Sequence, residues 1–494
     1  MPMGTEDRQR LAPLFDGLVA HVERGRYPFH IPGHKGGRGA DPAFRAWIGE
    51  RAFWLDLINI APLDDLHAPR GIIRDAERLA AEAFGAEHAF FSVQGTSTAI
   101  MAMVLAAVGP GEKIIVPRNV HKSVLSAIIL AGAVPIFIYP EMDQAFGIAH
   151  GISPDAVERA LEAHPDARAV FVVHPTYYGV ALDLPAIVAT CHRRGVPVLV
   201  DEAHGAHFSF HPKLPPSAME SGADAAATSV HKLGGSLTQS SLLLHQGRRI
   251  APERLRVTLS LLMTTSTSYL LLASLDTARR QLAVAGEARL QAAIERAETV
   301  RRAVRTIPGL RALEADDLPP GTLGLDPLKL TVHVAGLGLS GADVEEWMRA
   351  EGGIEVELSD LYNVLFLFSL ADGDDAVRRL TDALRRLSEA HRQNGARKPK
   401  PILLPEMPAL ALSPRDAFYA ETERVPLEEA ADRIMAEFIL VYPPGIPVVM
   451  PGEILTQDNI DYIRANLAEG LPVLGPEDAT LRTVRVIKER TPLR

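Results

Sequence analysis

Residues 196–207 read VPVLVDEAHGAH, a run of apolar β-forming residues that ends at Asp201. This pattern predicts a buried strand with an acidic residue at its carboxyl end. Ligands of open α/β sheets bind at that edge, so Asp201 is a candidate site residue. Its carboxylate is suited to holding a metal together with His204 and His207, or to pairing with a protonated ring nitrogen. A third interpretation is that Asp201 only caps the next helix.

Short apolar runs alternate with helix-like segments over about residues 74–245. The predicted helices are 74–84, 98–108, 122–130, 154–163 and 185–194, and the predicted strands are 113–116, 134–139, 169–173 and 196–200. Such alternation is typical of an α/β domain whose mainly parallel sheet is covered on both faces.

The 494 residues exceed the roughly 100–200 residues of one domain. We expect an N-terminal segment at 1–70, a large domain at 71–275, a smaller α/β domain at 276–394 and a C-terminal α+β unit at 395–494. The smaller domain is predicted to contain a long helix at 276–306, strands at 328–333, 353–357 and 363–368, and a helix at 376–390. Residues 395–408, rich in Pro and Lys, are a plausible linker.

Composition excludes several classes of protein. With 51 Lys and Arg against 61 Asp and Glu, the formal net charge is −10, whereas nucleic-acid binders normally carry a basic excess. The single cysteine, Cys191, excludes an intrachain disulfide and leaves any cysteine-based zinc site incomplete. No apolar stretch reaches the roughly 18 residues of a membrane span, and the N-terminus lacks a secretory apolar run. We expect a cytoplasmic protein with no nucleic-acid or membrane partner, and a packing role for Cys191.

The segment QGTST, residues 94–98, comes just before the predicted buried helix. Gly95 allows close approach of the backbone, and Thr96 and Ser97 offer hydroxyl and N–H groups at a helix N-terminus. This geometry suits a phosphate. The alternative is an ordinary helix cap, for which Ser and Thr are usual residues.

Lys232 lies in TSVHKLGGSLTQSS, residues 228–241, between a strand-like run and a glycine-rich turn. A lysine at such a point can be buried enough to lose its proton and attack carbonyls, although most lysines are surface residues. Ser229 and His231 flank it with polar groups that are able to reach a phosphate.

Together, a phosphate loop, a strand-end aspartate and a lysine in Ser-x-His-Lys form the ordered set expected for pyridoxal 5′-phosphate (PLP). Lys232 would form an imine with the aldehyde, Asp201 would keep the pyridine nitrogen protonated, and the loop would anchor the phosphate. A metal explains neither Lys232 nor the QGTST segment, so no metal site is predicted.

Several long strings in the sequence are shared with one family. They are FHIPGHKGG (29–37), QGTST (94–98), RNVHKS (118–123), HPTYYG (174–179), VDEAHGAHF (200–208), ATSVHKLGGSLTQSS (227–241), EVELSD (355–360) and YPPGIPVVMPGE (442–453). On these strings the chain resembles the bacterial Orn/Lys/Arg decarboxylases, which have the aspartate-aminotransferase (type I) PLP fold. The resemblance covers about residues 10–460. It is greatest to the short biosynthetic arginine decarboxylases, which lack an N-terminal wing domain, and FHIPGHKGG begins here at residue 29.

The resemblance implies a role for each matching residue. Lys232 would be the imine lysine, Asp201 the partner of the pyridine nitrogen, and His121 a catalytic residue that stacks on the cofactor ring. The other implied positions are Ala203 on the opposite ring face, His204 near the imine or the substrate carboxylate, and Gly95, Thr96, Ser97, Ser229 and His231 around the phosphate.

The segment TTSTSY, residues 264–269, stands where the family commonly has TTSPSY. The resemblance implies that Thr265 or Ser266 reaches the cofactor phosphate of a neighbouring subunit, and Thr267 in place of the proline leaves the geometry of this loop open. A homodimer or higher homo-oligomer with shared active sites is therefore expected.

The implied activity is decarboxylation of a basic L-amino acid, with arginine to agmatine and CO₂ in polyamine biosynthesis as the first choice. Lysine or ornithine as the substrate remains an alternative, as does an aminotransferase or lyase on the same fold, or a non-catalytic binding protein. Lys232 or His204 would return a proton to Cα. Carboxylates should bind the distal cation of the substrate, and the candidates are Asp64, Asp65, Glu355, Glu357 and Glu453.

Overall fold

The computed structural model describes residues 5–397, 404–441, 446–468 and 473–488. Parts of the predicted linker (398–403) and of the string YPPGIPVVMPGE (442–445) lie outside the described residues. The described helices are α1 (Thr5–Gln9), α2 (Pro13–Glu23), α3 (Pro42–Ile48), α4 (Glu50–Leu55), α5 (Ile72–Ala83), α6 (Gly95–Ala107), α7 (Lys122–Ala131), α8 (Pro154–Ala163), α9 (Leu184–Arg193), α10 (Val230–Leu233), α11 (Pro252–Leu262), α12 (Tyr269–Val304), α13 (Gly341–Trp347), α14 (Asp374–His391), α15 (Pro414–Tyr419) and α16 (Gln457–Ala468).

The described strands are β1 (His88–Ser92), β2 (Lys113–Pro117), β3 (Val134–Ile138), β4 (Met142–Asp143), β5 (Ile148–Ala149), β6 (Ala167–Val173), β7 (Val180–Leu182), β8 (Val198–Asp201), β9 (Ala225–Thr228), β10 (Ser241–His245), β11 (Arg311–Ala312), β12 (Thr322–Leu325), β13 (Lys329–His333), β14 (Leu358–Ser359), β15 (Asn363–Leu367), β16 (Thr422–Pro426), β17 (Ile439–Val441), β18 (Ile446–Val449), β19 (Val473–Leu474) and β20 (Thr483–Ile487). Within the described ranges, no helix is long and apolar enough to cross a membrane.

The chain divides into two compact units. Unit 1 comprises Met1–Ala107 and Leu184–Ala292, and unit 2 comprises Val108–Asp183 and Ala293–Arg494. The division into four segments that was drawn from the sequence stays a prediction.

Unit 1 contains the strands β1, β10, β9 and β8 in that spatial order. The pairs β1–β10 and β10–β9 are antiparallel, whereas β9 and β8 are parallel, with Asp201 opposite Ala227. All four residues of β8 and all four of β9 are buried, as expected for strands covered on both faces. The parallel pair brings the carboxyl ends of β8 and β9 to the same edge.

Helix α6 packs on this sheet portion, against β9 and β10, and also contacts α11. It is apolar on nearly every side, which suits a helix that is buried between other elements. Its N-terminus at Gly95 is where the phosphate segment was predicted.

Unit 2 contains a parallel sheet portion in which β2 lies between β6 and β3. It also has an antiparallel four-stranded sheet, β11-β13-β15-β14. Near the C-terminus, β16 pairs with β20 and β17 lies between β18 and β19. Side chains such as Met435, Ile439 and Val449 form a fully buried apolar cluster there.

The α/β fold with a mainly parallel sheet, which the sequence predicted, is confirmed. Most predicted elements occur within a few residues of their predicted limits, whereas the long helix predicted from 276, which is α12, already begins at Tyr269. The strand predicted at 353–357 is wrong: the chain pairs with β15 only at Leu358–Ser359. The Glu-Val-Glu alternation indicated a strand, but the neighbouring Gly352 and Gly353 belong to a helix end, and Gly353 has a left-handed φ of 63°.

Cys191 lies on α9 and is fully buried. Burial, followed by the negative charge of Asp224, raises the pKa of its thiol to about 12. Such a thiol is protonated at neutral pH, which agrees with the packing role predicted for it.

Candidate active site

Asp201 ends β8, as predicted, with its carboxyl group at the carboxyl edge of the sheet. The residue is only 6% exposed, and Oδ1 accepts a hydrogen bond from the Ala203 N–H at 3.1 Å. Burial raises the pKa of Asp201 to about 6, while the Ala203 N–H and the positive charge of Lys232 act in the opposite direction. The carboxylate is thus in a position where a cationic partner would stabilise it strongly.

Lys232 lies on the short helix α10, which follows β9 directly. Its Nζ is 2.7 Å from Nε2 of His204, a residue that is itself buried. Lys232 is exposed, because Val230 and Leu233 occupy the buried face of α10. An accessible amine next to an imidazole is able both to attack a carbonyl and to exchange a proton.

The hydroxyl groups of three buried residues meet beside the N-terminus of α6. Thr96 Oγ1 forms hydrogen bonds with Ser229 Oγ and, at 2.9 Å, with Ser241 Oγ. Gly95 begins the helix with a φ of 76°, and among the described residues no atom lies within 4 Å of the place where its Cβ would be. Hydroxyls, an open glycine and a helix N-terminus together suit an anion such as phosphate.

Ser97 and His231, the other predicted phosphate residues, flank this cluster. Ser97 is half-buried in the first turn of α6. His231 Nδ1 is 2.9 Å from the carbonyl oxygen of Ser240, to which it donates. Burial lowers the pKa of His231, so its neutral form has Nε2 as an acceptor, and it would donate to a phosphate only after protonation.

His121 belongs to unit 2, where it follows β2 and caps α7. Its Nδ1 accepts hydrogen bonds from the N–H of Ser123 at 3.3 Å and from the hydroxyl of the same residue at 2.8 Å. The imidazole is exposed, and these bonds direct its remaining proton to Nε2. Its stacking role stays a prediction, as does the packing role of Ala203, which is half-buried two residues after Asp201.

The segment 264–268 joins α11 to α12, and two residues that the sequence analysis missed hold it. Gln94 Oε1 accepts a hydrogen bond from the Thr264 N–H. His67 Nε2 is 2.9 Å from the Thr264 carbonyl oxygen, and its Nδ1 is 2.7 Å from Ser260 Oγ. Ser266 is exposed, so its predicted role toward a neighbouring subunit stays a prediction. His67 lies two residues after Asp65 in the sequence, but no spacing signals its contacts, because they join residues about 195 positions apart.

Asp64 and Asp65, two of the candidates for the distal cation, bind backbone and neighbouring polar groups instead. Asp64 accepts hydrogen bonds from the N–H groups of Arg70, Gly71 and Ile73 at 2.7–3.0 Å and so caps α5. Asp65 accepts from the His67 N–H at 3.0 Å. Asp64 therefore caps a helix, and Asp65 binds a backbone group of its own segment.

Glu453 is also excluded as a candidate for the distal cation. It is 1% exposed, and Arg118 Nη2 donates to its Oε2 at 2.7 Å. Glu355 is exposed and forms an ion pair with Arg349 at 3.1 Å. Glu357 differs from these, because its exposed carboxylate accepts a single described hydrogen bond, from the hydroxyl of Tyr177 at 2.6 Å.

Two protein-family models match this chain. A family model for the major domain of the Orn/Lys/Arg decarboxylases matches residues 12–320 and 313–376, and a model for their C-terminal domain matches residues 401–472. The chain belongs to the Orn/Lys/Arg decarboxylase family. The family predicted from the sequence is thus confirmed, and with it a decarboxylase type of enzyme.

Similar proteins include members of this family and of the wider fold. The arginine decarboxylase of Halalkalibacterium halodurans is 56% identical over 489 residues, 99% of this chain and 100% of the relative. The structure of lysine decarboxylase A from Pseudomonas aeruginosa has a TM-score of 0.83 at 26% identity, and covers 97% of this chain and 81% of that one. An SPT solved with PLP shares the fold alone, with a TM-score of 0.50 at 17% identity over 64% of this chain and 76% of that one.

Proposed function

We propose that this protein catalyses the PLP-dependent decarboxylation of L-arginine to agmatine and CO₂. The observation that carries the proposal is the cluster of unit 1, in which Lys232 Nζ lies 2.7 Å from His204 Nε2 and the buried Asp201 ends the adjoining strand. The 56% identity to an arginine decarboxylase, over nearly the full length of both chains, supports arginine as the substrate.

The residues of unit 1 fit PLP in three respects. The hydroxyls of Thr96, Ser229 and Ser241 and the open backbone at Gly95 would hold its phosphate. Asp201, whose buried carboxyl lacks a hydrogen-bonded cation among the described residues, would pair with the protonated ring nitrogen. The exposed amine of Lys232 would bind the aldehyde.

The residues of the site would divide the work of the reaction. When bound, PLP withdraws the electron pair that is released as CO₂ leaves the substrate. Asp201 would hold the proton on the ring nitrogen, and this proton makes the ring a better electron acceptor. His204 Nε2 and Lys232 Nζ, which are hydrogen-bonded at 2.7 Å, would return a proton to Cα.

Glu357, a residue of unit 2, stays a predicted candidate for the distal cation. Its carboxylate is exposed and is oriented by the Tyr177 hydroxyl. Tyr177 is itself fixed by Lys329, a fully buried residue whose Nζ donates to the Tyr177 carbonyl oxygen at 2.6 Å. A carboxylate oriented in this way would bind a guanidinium or ammonium group by a charge-assisted hydrogen bond.

We also propose that the protein forms a homodimer or larger assembly in which Ser266 reaches the phosphate of the neighbouring subunit. Its proposed role is in polyamine biosynthesis, and its proposed location is the cytoplasm. Lysine or ornithine decarboxylation is the first alternative, and an aminotransferase or lyase on the same fold is the second.

The direct test supplies arginine, lysine and ornithine in parallel to the PLP-loaded protein. We expect CO₂ release and agmatine with arginine, and much slower turnover with the other two. Cadaverine as the main product would identify lysine as the substrate, and putrescine would identify ornithine. Formation of a keto acid without CO₂ would refute decarboxylation.

Lys232→Ala tests the assignment of the lysine. We expect loss of the absorbance of lysine-bound PLP and of CO₂ release, with the fold intact by circular dichroism. Lys213→Ala, which removes an exposed lysine of the same unit, is the matched control and should leave both signals unchanged. A covalent PLP adduct that persists in Lys232→Ala would refute the assignment.

A further inference from the structure

Glu202, the residue after Asp201, has a buried carboxyl group that the proposed reaction does not use. The residue is 1% exposed. Oε1 accepts a hydrogen bond from the Ala218 N–H at 2.6 Å, and Oε2 accepts one from the Thr228 hydroxyl at 3.0 Å. Both oxygen atoms of this acid are therefore engaged inside the protein.

These contacts connect the two strand ends that carry the site. Thr228 ends β9, and the next residue, Ser229, belongs to the hydroxyl cluster with Thr96. The backbone N–H of Glu202 also donates to the Ala227 carbonyl oxygen at 3.0 Å. One residue thus links the strand end that bears Asp201 to the strand end that leads into Lys232.

The surroundings of Glu202 disfavour a negative charge. Among the described residues it forms no ion pair with Lys, Arg or His, and the carboxylates of Glu220 and Asp201 repel its negative charge. Burial, reinforced by these two carboxylates, raises the pKa of Glu202 to about 8, although the Ala218 N–H and the Thr228 hydroxyl oppose the shift. A buried carboxylate without a cation is costly, whereas a neutral carboxyl costs less when one oxygen accepts from the Ala218 N–H and its O–H donates to the Thr228 hydroxyl oxygen.

We propose that Glu202 is a positioning residue whose neutral carboxyl group ties the ends of β8 and β9 together. It fixes Asp201 relative to Ser229 and Lys232, and it leaves Asp201 as the single anionic member of the Asp201–Glu202 pair. The inference rests on the proposed function only in taking these positioned groups to be the ones that hold PLP.

Substitutions of Glu202 distinguish a neutral carboxyl group from a charged one. Glu202→Gln preserves shape and neutrality, since its Oε1 accepts from the Ala218 N–H and its Nε2 donates to the Thr228 hydroxyl oxygen as the O–H of a neutral Glu202 does. The dissociation constant for PLP should therefore stay within about twofold of the wild type. Glu202→Ala removes both bonds, and we expect on the order of tenfold weaker PLP binding. Its kcat for arginine should fall, with little change in KM. Glu220→Ala, which removes an exposed carboxylate whose hydrogen bond among the described residues comes from the Ser217 N–H, is the control and should resemble the wild type.

Two measurements on the apoprotein test the inference independently of PLP. The infrared spectrum at pH 7 should contain the carbonyl stretch of a protonated carboxylic acid that Glu202→Gln abolishes and Glu220→Gln does not. In a double-mutant cycle on the unfolding equilibrium, Glu202→Ala and Thr228→Val should be coupled by about fivefold or more. Thr228→Val keeps the side-chain shape, so this single variant still reports on the bond to Glu202 if Glu202→Ala folds poorly.

The outcomes are distinguishable from failure of the proposed function. A wild type that neither binds PLP nor releases CO₂ refutes that function, while the infrared band and the coupling still decide the state of Glu202. Absence of the band, or a Glu202→Gln variant as impaired as Glu202→Ala, would overturn the inference. So would independent effects of Glu202→Ala and Thr228→Val.

Discussion

At the residue scale, Asp201 opposes folding of the apoprotein once it ionises. Its pKa in the folded chain is about 6, raised by burial from an ordinary value of 3.8. The folded state therefore binds the proton more tightly than the unfolded state does. The stability that follows from this is fully present below pH 3.8 and is lost as the pH rises through about 6. A cationic ring nitrogen next to the carboxylate would reverse this effect.

Asp201→Asn should consequently stabilise the apoprotein while it impairs the enzyme. The amide avoids the burial of a charge, and we expect a gain of up to about 3 kcal/mol at pH 7.5 and none at pH 3.5, measured by urea unfolding. Decarboxylation by the PLP-loaded variant should be slower by about 100-fold or more, because the charge partner of the ring nitrogen is absent. Equal stability of variant and wild type at pH 7.5, or near-normal turnover, would contradict this account.

At the scale of elements, the segment between α11 and α12 contains an unusual threonine. Thr267 stands where the family commonly has proline, and it is 2% exposed. Among the described residues its hydroxyl has no hydrogen-bond partner. A buried hydroxyl without a hydrogen-bond partner costs about 1–3 kcal/mol, so the Thr267 hydroxyl destabilises the folded state.

Thr267→Val should therefore raise the free energy of unfolding by about 1 kcal/mol, because it removes the hydroxyl and keeps the shape. Thr267→Pro should act in the same direction, since it also restricts the unfolded chain. Thr265→Val, at an exposed position of the same segment, is the control and should change little. Chemical denaturation of the three variants is the measurement, and a destabilised Thr267→Val would show that the hydroxyl is satisfied in solution.

At the scale of the whole molecule, one buried ion pair joins residues far apart in the sequence. Arg118 follows β2 and is fully buried, and its guanidinium binds both Glu453 oxygens and, at 3.0 Å, the carbonyl oxygen of Pro447. Within unit 2, it thereby connects the parallel sheet portion to the region near the C-terminus. Removing one partner of such a pair leaves the other charge buried and uncompensated.

Glu453→Ala should lower the free energy of unfolding by about 3–5 kcal/mol. The KM for arginine at a temperature where the variant is folded should be unchanged, because Glu453 faces Arg118 rather than solvent. Thermal unfolding and steady-state kinetics together check this expectation. A raised KM with normal stability would instead return Glu453 to the candidates for the distal cation.

The parts of the site that the sequence predicted are those encoded within short segments. Asp201 at a strand end, Lys232 after the next strand and the QGTST helix start each follow from about ten consecutive residues. The contacts of His67, Gln94 and Glu202 could not be predicted in this way, because each joins residues that are distant in the sequence and meet only in the folded chain.

The same limit applies to the elements and to the acids. Strands β1 and β10 are antiparallel to their neighbours, and no apolar periodicity encodes the direction of a strand. Glu453 and Glu357 are the same residue type, but one is buried against Arg118 and the other is exposed. Their difference depends on tertiary packing, which residue type alone does not specify.

Cys191 is an intrinsic chemical probe for local opening of the structure around α9. The chain has one thiol, and it is fully buried with a pKa of about 12. A thiol reagent should therefore label the native protein only when the region around α9 opens, at a rate that reports the free energy of that opening. Labelling kinetics of Asp201→Asn and Glu202→Gln would then measure local stability in unit 1 under native conditions, without denaturant and without an introduced label.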